Sequence, residues 1–275
     1  MKKRFLILWI CISALANVWL QEQIFTVQTY LQYYKEDRRE ELRCLAVTPP
    51  LSRNTFDSPK GRKAAGKKWA EEILFSCMGT QGEMAEQLDF AGKVFAGKFI
   101  PKRLWMQGEE MTGKILRDFT YFPVAVREGE KETLSFENSW GGARDYGGSR
   151  RHEGCDIMTS NNQRGYFDIV SVSDGVVEKM GWLELGGYRV GVRSASGVYY
   201  YYAHLDSYRE GLREGMKVRA GDVLGKMGDT GYGEEGTRGK FDVHLHFGIY
   251  MDEAASYSVN PFFVLNAYRD YTVVR

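Results

Sequence analysis

The chain has four histidines, and all of them lie between Arg151 and Phe247 of its 275 residues. They stand as His152-Glu153-Gly154-Cys155-Asp156, Tyr202-Ala203-His204-Leu205 and His244-Leu245-His246, with Asp156 the one carboxylate at ligand-like spacing. Imidazole is a common metal ligand and the one side chain whose ordinary pKa lies near neutrality. Clustering of so scarce a residue therefore reads as a metal site with spare bases beside it. Two histidines and one aspartate fill three positions on zinc and leave a fourth open, the catalytic arrangement. Zinc in such a site can bring the pKa of a bound water from 15.7 to about 7. Two histidines remain, one to take the water's proton and one to stabilise or protonate the developing intermediate.

Taken singly, each part is weak. An HxH arises in any alternating strand, a lone His204 suits a strand end, and Asp156 suits a turn. Two histidines and a carboxylate also describe a non-haem iron oxygenase site, so the donors alone do not name the metal. The hydrolytic reading rests on the joint occurrence, on the two surplus imidazoles, and on the export signal described below.

Side chains of a strand alternate between its faces. His244, His246 and Gly248 then share one face while Val243, Leu245 and Phe247 share the other and can be buried. His152 and Asp156, with Gly154 between them, suit a turn that leads into a strand. If Asp156 faces the metal, Cys155 faces the core and has a structural role. Tyr199 to Leu205 delivers His204 at a strand end. Around these, Tyr188 to Arg193, the turn Ser194 to Gly197 and Val198 to Ala203 predict a β-hairpin, and Val223–Met227 and Val243–Ile249 predict further strands.

Upstream of Tyr121-Phe122-Pro123 the pattern is helical. Ile24, Val27, Leu31 and Tyr34 recur at helical spacing until Pro49 and Pro50 forbid continuation. Trp69, Ile73, Leu74, Cys77 and Met78 mark a second helix, Met84, Leu88, Ala91 and Phe95 a third, and Met111, Ile115, Leu116 and Phe119 a fourth. Residues 1–20 combine Lys2, Lys3 and Arg4 with an apolar run from Phe5 to Leu20, which predicts an export signal or membrane anchor. The expected division is therefore 1–20 as leader, 21–121 as a helical region, and 122–275 as a β-rich domain, an α+β chain. A formal charge of +1 gives no electrostatic reason to expect a nucleic acid partner. Cys44 and Cys77 are the one plausible disulfide pair, and two buried thiols are the favoured reading.

The histidine segments resemble the lysostaphin and LytM type of zinc peptidoglycan endopeptidases. His152-Glu153-Gly154-Cys155-Asp156 is similar to that family's H-x-G-x-D, Tyr202-Ala203-His204-Leu205 to its Y-x-H-L, and His244-Leu245-His246-Phe247 to its H-L-H-F. Ser173 to Val177, Ala220 to Gly225, Gly228 to Gly231 and Val259-Asn260-Pro261 resemble its connecting segments, so the likeness runs from about Trp140 to Pro261. The resemblance implies Zn2+ held by His152, Asp156 and His246, with His204 and His244 as the catalytic pair and His244 the better general base. It implies a twisted, mostly antiparallel β-structure with a groove across the sheet, an extracytoplasmic location, and the peptide part of peptidoglycan, stem or cross-bridge, as substrate. Tyr232 to Val243 depart from the family pattern as a polar, glycine-rich insertion, expected as a surface loop near the groove. The rival reading is a catalytically silent wall-binding or scaffold protein. Against it, all five residues are present, whereas silent relatives lose ligands or catalytic histidines.

Overall fold

The computed structural model describes residues 2–33, 42–45, 47–51, 55, 58–78, 100–146 and 148–275. Helix α1 (Lys2–Tyr33) runs without a break from the basic terminus through the apolar run and past Ile24. Its apolar side chains stand outward: Trp9, Ile12, Leu15, Val18, Trp19 and Phe25 are all exposed. Among the described residues no helix is long and apolar enough to cross a membrane. The helix expected over Met84 to Phe95 lies outside the described residues, as does the side chain of Cys77.

Helices α2 (Pro59–Met78) and α3 (Lys102–Asp118) pack against each other. Gly66 and Gly113 let the backbones approach, and the Thr112 hydroxyl donates to the Gly66 carbonyl at 2.7 Å across the contact. Trp69, Ile73 and Leu74 of α2 and Met111, Ile115 and Leu116 of α3 are buried there, at the positions their helical periodicity predicts. The exposed carbonyls at the end of α3 accept from Arg62, whose Nη1 lies 3.0 Å from the Leu116 oxygen and 3.2 Å from that of Phe119. A cation there answers the partial negative charge of a helix C-terminus.

Thirteen strands follow among the described residues. They are β1 (Val124–Ala125), β2 (Leu134–Phe136), β3 (Ala143–Arg144), β4 (Arg150–Arg151), β5 (Cys155–Thr159), β6 (Asp168–Val170) and β7 (Gly175–Leu183). The rest are β8 (Gly187–Ser194), β9 (Tyr199–Tyr208), β10 (Lys217–Val218), β11 (Val223–Met227), β12 (His244–Tyr250) and β13 (Ser258–Val259), after which α4 (Phe262–Ala267) closes the fold. Eleven of the strands make one antiparallel sheet whose main path is β1-β6-β11-β9-β12-β5-β2, with β8 and β7 extending from β9. β3 and β4 pair as a separate hairpin.

One face of this sheet packs on the helices. Phe119, fully buried just after α3, sets its ring 4.6 Å from Tyr268, 5.8 Å from Tyr200 and 6.0 Å from Phe247, centroid to centroid. The cores of the helical region and of the sheet are thus one continuous apolar cluster. The opposite face carries the histidines.

Candidate metal centre and cleft

β12 lies between β5 and β9, with His246 opposite Asp156 on one side and Ala203 on the other. This register brings three distant segments to one point. His152 Nε2, His246 Nδ1 and Asp156 Oδ1 form a nearly equilateral triangle with edges of 2.9, 3.0 and 3.1 Å. Four ligands at about 2.0–2.1 Å from a tetrahedral zinc lie about 3.3 Å apart. The triangle is therefore close to one face of that tetrahedron.

Hydrogen bonds behind the triangle say what its atoms can do. His152 Nδ1 lies 3.1 Å from the Ser139 carbonyl, which can only accept, so we assign the proton to Nδ1 and a lone pair to Nε2. Arg144 Nη2 lies 3.2 Å from that same nitrogen, but its shorter contact is a charge-assisted bond to Asp156 Oδ2 at 2.9 Å. Asp156 thus spends one oxygen on Arg144 and turns the other inward. Burial alone would raise its carboxyl. Without a metal, a proton shared with the His152 or His246 ring outweighs that and holds it well below the usual carboxylate range. Lone pairs crowded at about 3 Å repel unless a cation or a proton sits among them. Among the described residues these three are the group suited to hold a metal, and the donor set fits zinc.

His204 and His244 stand beside the triangle with ring centroids 4.7 Å apart. His244 Nδ1 donates to the Asp242 carbonyl at 2.7 Å, leaving Nε2 as the acceptor, 3.8 Å from Asp156 Oδ1. His204 Nδ1 donates to the Thr230 carbonyl at 2.7 Å. Burial, then the neighbouring His244 and His246, lower the His204 pKa well below its ordinary value, so its ring is neutral at pH 7.

The placement of His204 differs from the simple strand-end expectation. β9 continues to Tyr208, and Ala203 already faces the cleft opposite His246. Strict alternation would send His204 to the other face. Instead its φ is +64°, a left-handed conformation uncommon for a non-glycine residue, at the point where β9 leaves β12 and pairs with β11 from Leu205 onward. The kink lets consecutive residues line the same cleft. It costs on the order of 1–3 kcal/mol, met by the Thr230 carbonyl and the buried bond from its hydroxyl to the Leu205 carbonyl.

All five residues singled out in the sequence line one cleft of about 960 Å³. Cys155, one position before Asp156, points into the core; burial, with the Asp156 charge behind it, pushes its thiol up to about 12. Gly154 is needed by sterics: a β-carbon there would come within 2.6 Å of the His246 ring and of the Phe247 carbonyl.

Sequence reasoning missed Arg144 and the carbonyl acceptors of Ser139, Thr230 and Asp242. The insertion Tyr232 to Val243 is a surface loop near the groove, as expected, with Glu234 to Gly236 and Arg238 to Lys240 exposed; its Phe241 packs inward at 4.5 Å from His204 and 5.0 Å from His244. Tyr232 of the same loop stacks on Tyr146 from the β3–β4 hairpin, 4.2 Å between centroids, and its carbonyl accepts from the Tyr146 hydroxyl at 2.7 Å.

Known proteins are similar to the segments that carry this site. The model of peptidase family M23 matches residues 150–261. Over 151 residues the chain is 39% identical to the L-Ala–D-Glu endopeptidase of Bacillus subtilis, covering 54% of this chain and 44% of that protein. The chain thus spans less than half the length of that relative. The crystal structure of a LytM protein from Ruminococcus gnavus, assigned as a glycyl-glycine endopeptidase, aligns with a TM-score of 0.67 at 36% identity. That alignment covers 90% of this chain and 98% of the other, a share too large for the β-rich part alone, so the helical region has a counterpart there.

Proposed function

Because the chain belongs to peptidase family M23, we propose that it is an exported zinc metalloendopeptidase that hydrolyses peptide bonds in the stems or cross-bridges of bacterial peptidoglycan. The observation that carries this is the triangle of His152, Asp156 and His246 with two further imidazoles turned toward it. In this reading those three residues hold the zinc, and the metal when bound polarises a peptide carbonyl and makes a water acidic near neutrality.

The remaining steps belong to the chain's own groups. His244, its tautomer fixed by the Asp242 carbonyl, takes the attacking water's proton at Nε2. His204 is neutral and carries its proton on Nδ1 in the resting protein. As negative charge develops on the carbonyl oxygen beside it, His204 takes up a proton from solvent at Nε2 and hydrogen-bonds that oxygen, while His244 passes the water's proton to the departing amine nitrogen as the C–N bond breaks. Arg144 keeps Asp156 oriented. Phe241 covers the two catalytic imidazoles on one side and keeps water from solvating them.

Export is supported by the basic terminus followed by an apolar helix with its side chains exposed, and by a substrate that lies outside the cytoplasm. Anchoring of the chain through that helix belongs to the same proposal. The relatives' names point to two bond types, one in the stem peptide and one in a glycine bridge, and the proposal at this level covers both.

The test uses the full chain on purified peptidoglycans, with products read by mass spectrometry. New peptide ends should appear, vanish with a chelator and return with zinc. His244→Ala should keep its zinc and lose on the order of 10²- to 10⁴-fold in rate. Cleavage indifferent to chelator, or a His244→Ala protein as fast as the parent, overturns the proposal.

A further inference from the structure

Beyond the metal triangle the cleft floor changes character. Tyr199 and Tyr201 of β9 lie opposite Tyr250 and Gly248 of β12, and Gly191 of β8 lies opposite Tyr201. A β-carbon at Gly191 would collide with the Tyr199 ring, so the glycine lets the phenol lie down on the sheet. The Tyr201 ring centroid is 5.9 Å from that of His246, and the Tyr201 and Tyr250 centroids are 6.3 Å apart. This aromatic trough therefore begins directly beside a metal ligand.

Arg189 of β8 lines the same cleft and is close enough to Tyr199, Tyr201 and Tyr208 for its charge to act on all three phenols. Arg144 is paired with Asp156, Arg164 with Asp229, Arg193 with Glu178, and Arg238 with Asp206. Among the described residues no carboxylate lies within ion-pair distance of Arg189, and its Nη1 is buried without a hydrogen-bond partner. Of the other arginines lining the cleft, Arg150 also has no carboxylate partner among the described residues but bonds to the Tyr232 hydroxyl at 3.4 Å, and Arg151 stands exposed. As for the cleft carboxylates, Glu178 accepts from Arg193 at 2.6 Å and Glu153 from the Tyr250 hydroxyl at 3.2 Å, while Glu184 and Glu253 line the cleft outside ion-pair distance of Arg189.

A guanidinium does not shed its proton in a protein, so the buried, unpaired Nη1 keeps its desolvation cost while the rest of the half-buried group lines the cleft, open to an acceptor. The planar fork suits a carboxylate better than any single carbonyl. We infer that Arg189 is a specificity-determining residue that binds a free carboxylate on the substrate peptide, in the trough that begins beside His246. This rests on the peptidase reading above and narrows it: an acidic stem peptide supplies such a group, whereas an uncharged glycine bridge does not.

The test compares two synthetic stem-type peptides that differ only in a carboxylate or a carboxamide on the acidic residue, together with a glycine-bridge peptide. On the zinc-loaded full chain the carboxylate peptide should have a KM roughly 10- to 100-fold below its amide twin. Arg189→Met should erase that ratio by raising the carboxylate KM, with kcat changed far less, and Arg189→Lys should restore part of it. The same pair is then measured by calorimetric binding to the zinc-loaded His244→Ala protein, which keeps Arg189 and does not turn over. If the parent cleaves no peptide at all, the peptidase reading falls and the binding arm decides alone. Carboxylate-selective binding that Arg189→Met abolishes sustains the assignment. Equal affinity for carboxylate and amide, in binding or in KM, overturns it, as does a preference for the glycine bridge.

Discussion

The two faces of β12 are built from alternate residues of one strand and are held together in opposite ways. On the cleft face, His244 and His246 bring unshared electron pairs toward Asp156 and His152, an arrangement that repels itself without a cation. On the other face, Leu245 and Phe247 are fully buried against Phe119, Tyr200 and Tyr202, an arrangement that holds without any ligand. The packed face stabilises the strand, and the cleft face uses that stability to keep like groups close. Function and fold are thus separable by substitution, although they share a backbone.

The largest expected effect is on the cleft face. His246→Ala should release the zinc and lower turnover by at least about 10³-fold, the several kcal/mol that a Lewis acid supplies. Its unfolding midpoint without metal should fall less than that of a packed-face variant, because the His246 ring gives up only its contacts with Gly154, Tyr201 and the neighbouring imidazoles; metal analysis and denaturant unfolding read the two quantities. Phe119→Ala addresses the packed face. It should cost about 3–5 kcal/mol of stability by urea titration while the surviving folded protein still binds zinc. A Phe119→Ala protein that is as stable as the parent but cannot hold zinc would erase the distinction between the faces. Arg144→Met sharpens the cleft side with a smaller effect. Without the bond to Asp156 Oδ2, zinc affinity should fall about 10- to 100-fold in a chelator competition, the usual loss for a partner that orients a ligand.

Much of this was legible in the sequence because it follows from short periods. A repeat near 3.6 placed Trp69, Ile73 and Leu74 and then Met111, Ile115 and Leu116 in helix contacts, and a period of two placed His244 and His246 on one side of a strand. The strand Val223–Met227 has its predicted ends. What escaped depends on contacts that leave no local mark. Arg144 reaches Asp156 from a separate hairpin, and three histidine protons are fixed by carbonyls of Ser139, Thr230 and Asp242, which every residue type carries alike. Alternation also misleads at His204, where a left-handed φ reverses the face the strand would give it. The insertion is the surface loop near the groove that its polar composition predicts, but composition left no mark of how Tyr232 and Phe241 pack there.

Phe119 has a further consequence, for how such a protein can evolve. Its ring fills space among Tyr200, Phe247 and Tyr268, so the end of a helix is a part of the sheet's interior. A recombination event that joined the β-rich segment to a different upstream partner would leave that space vacant, one residue away from the metal-binding His246. A new upstream partner would therefore have to bring a side chain that fills the same space.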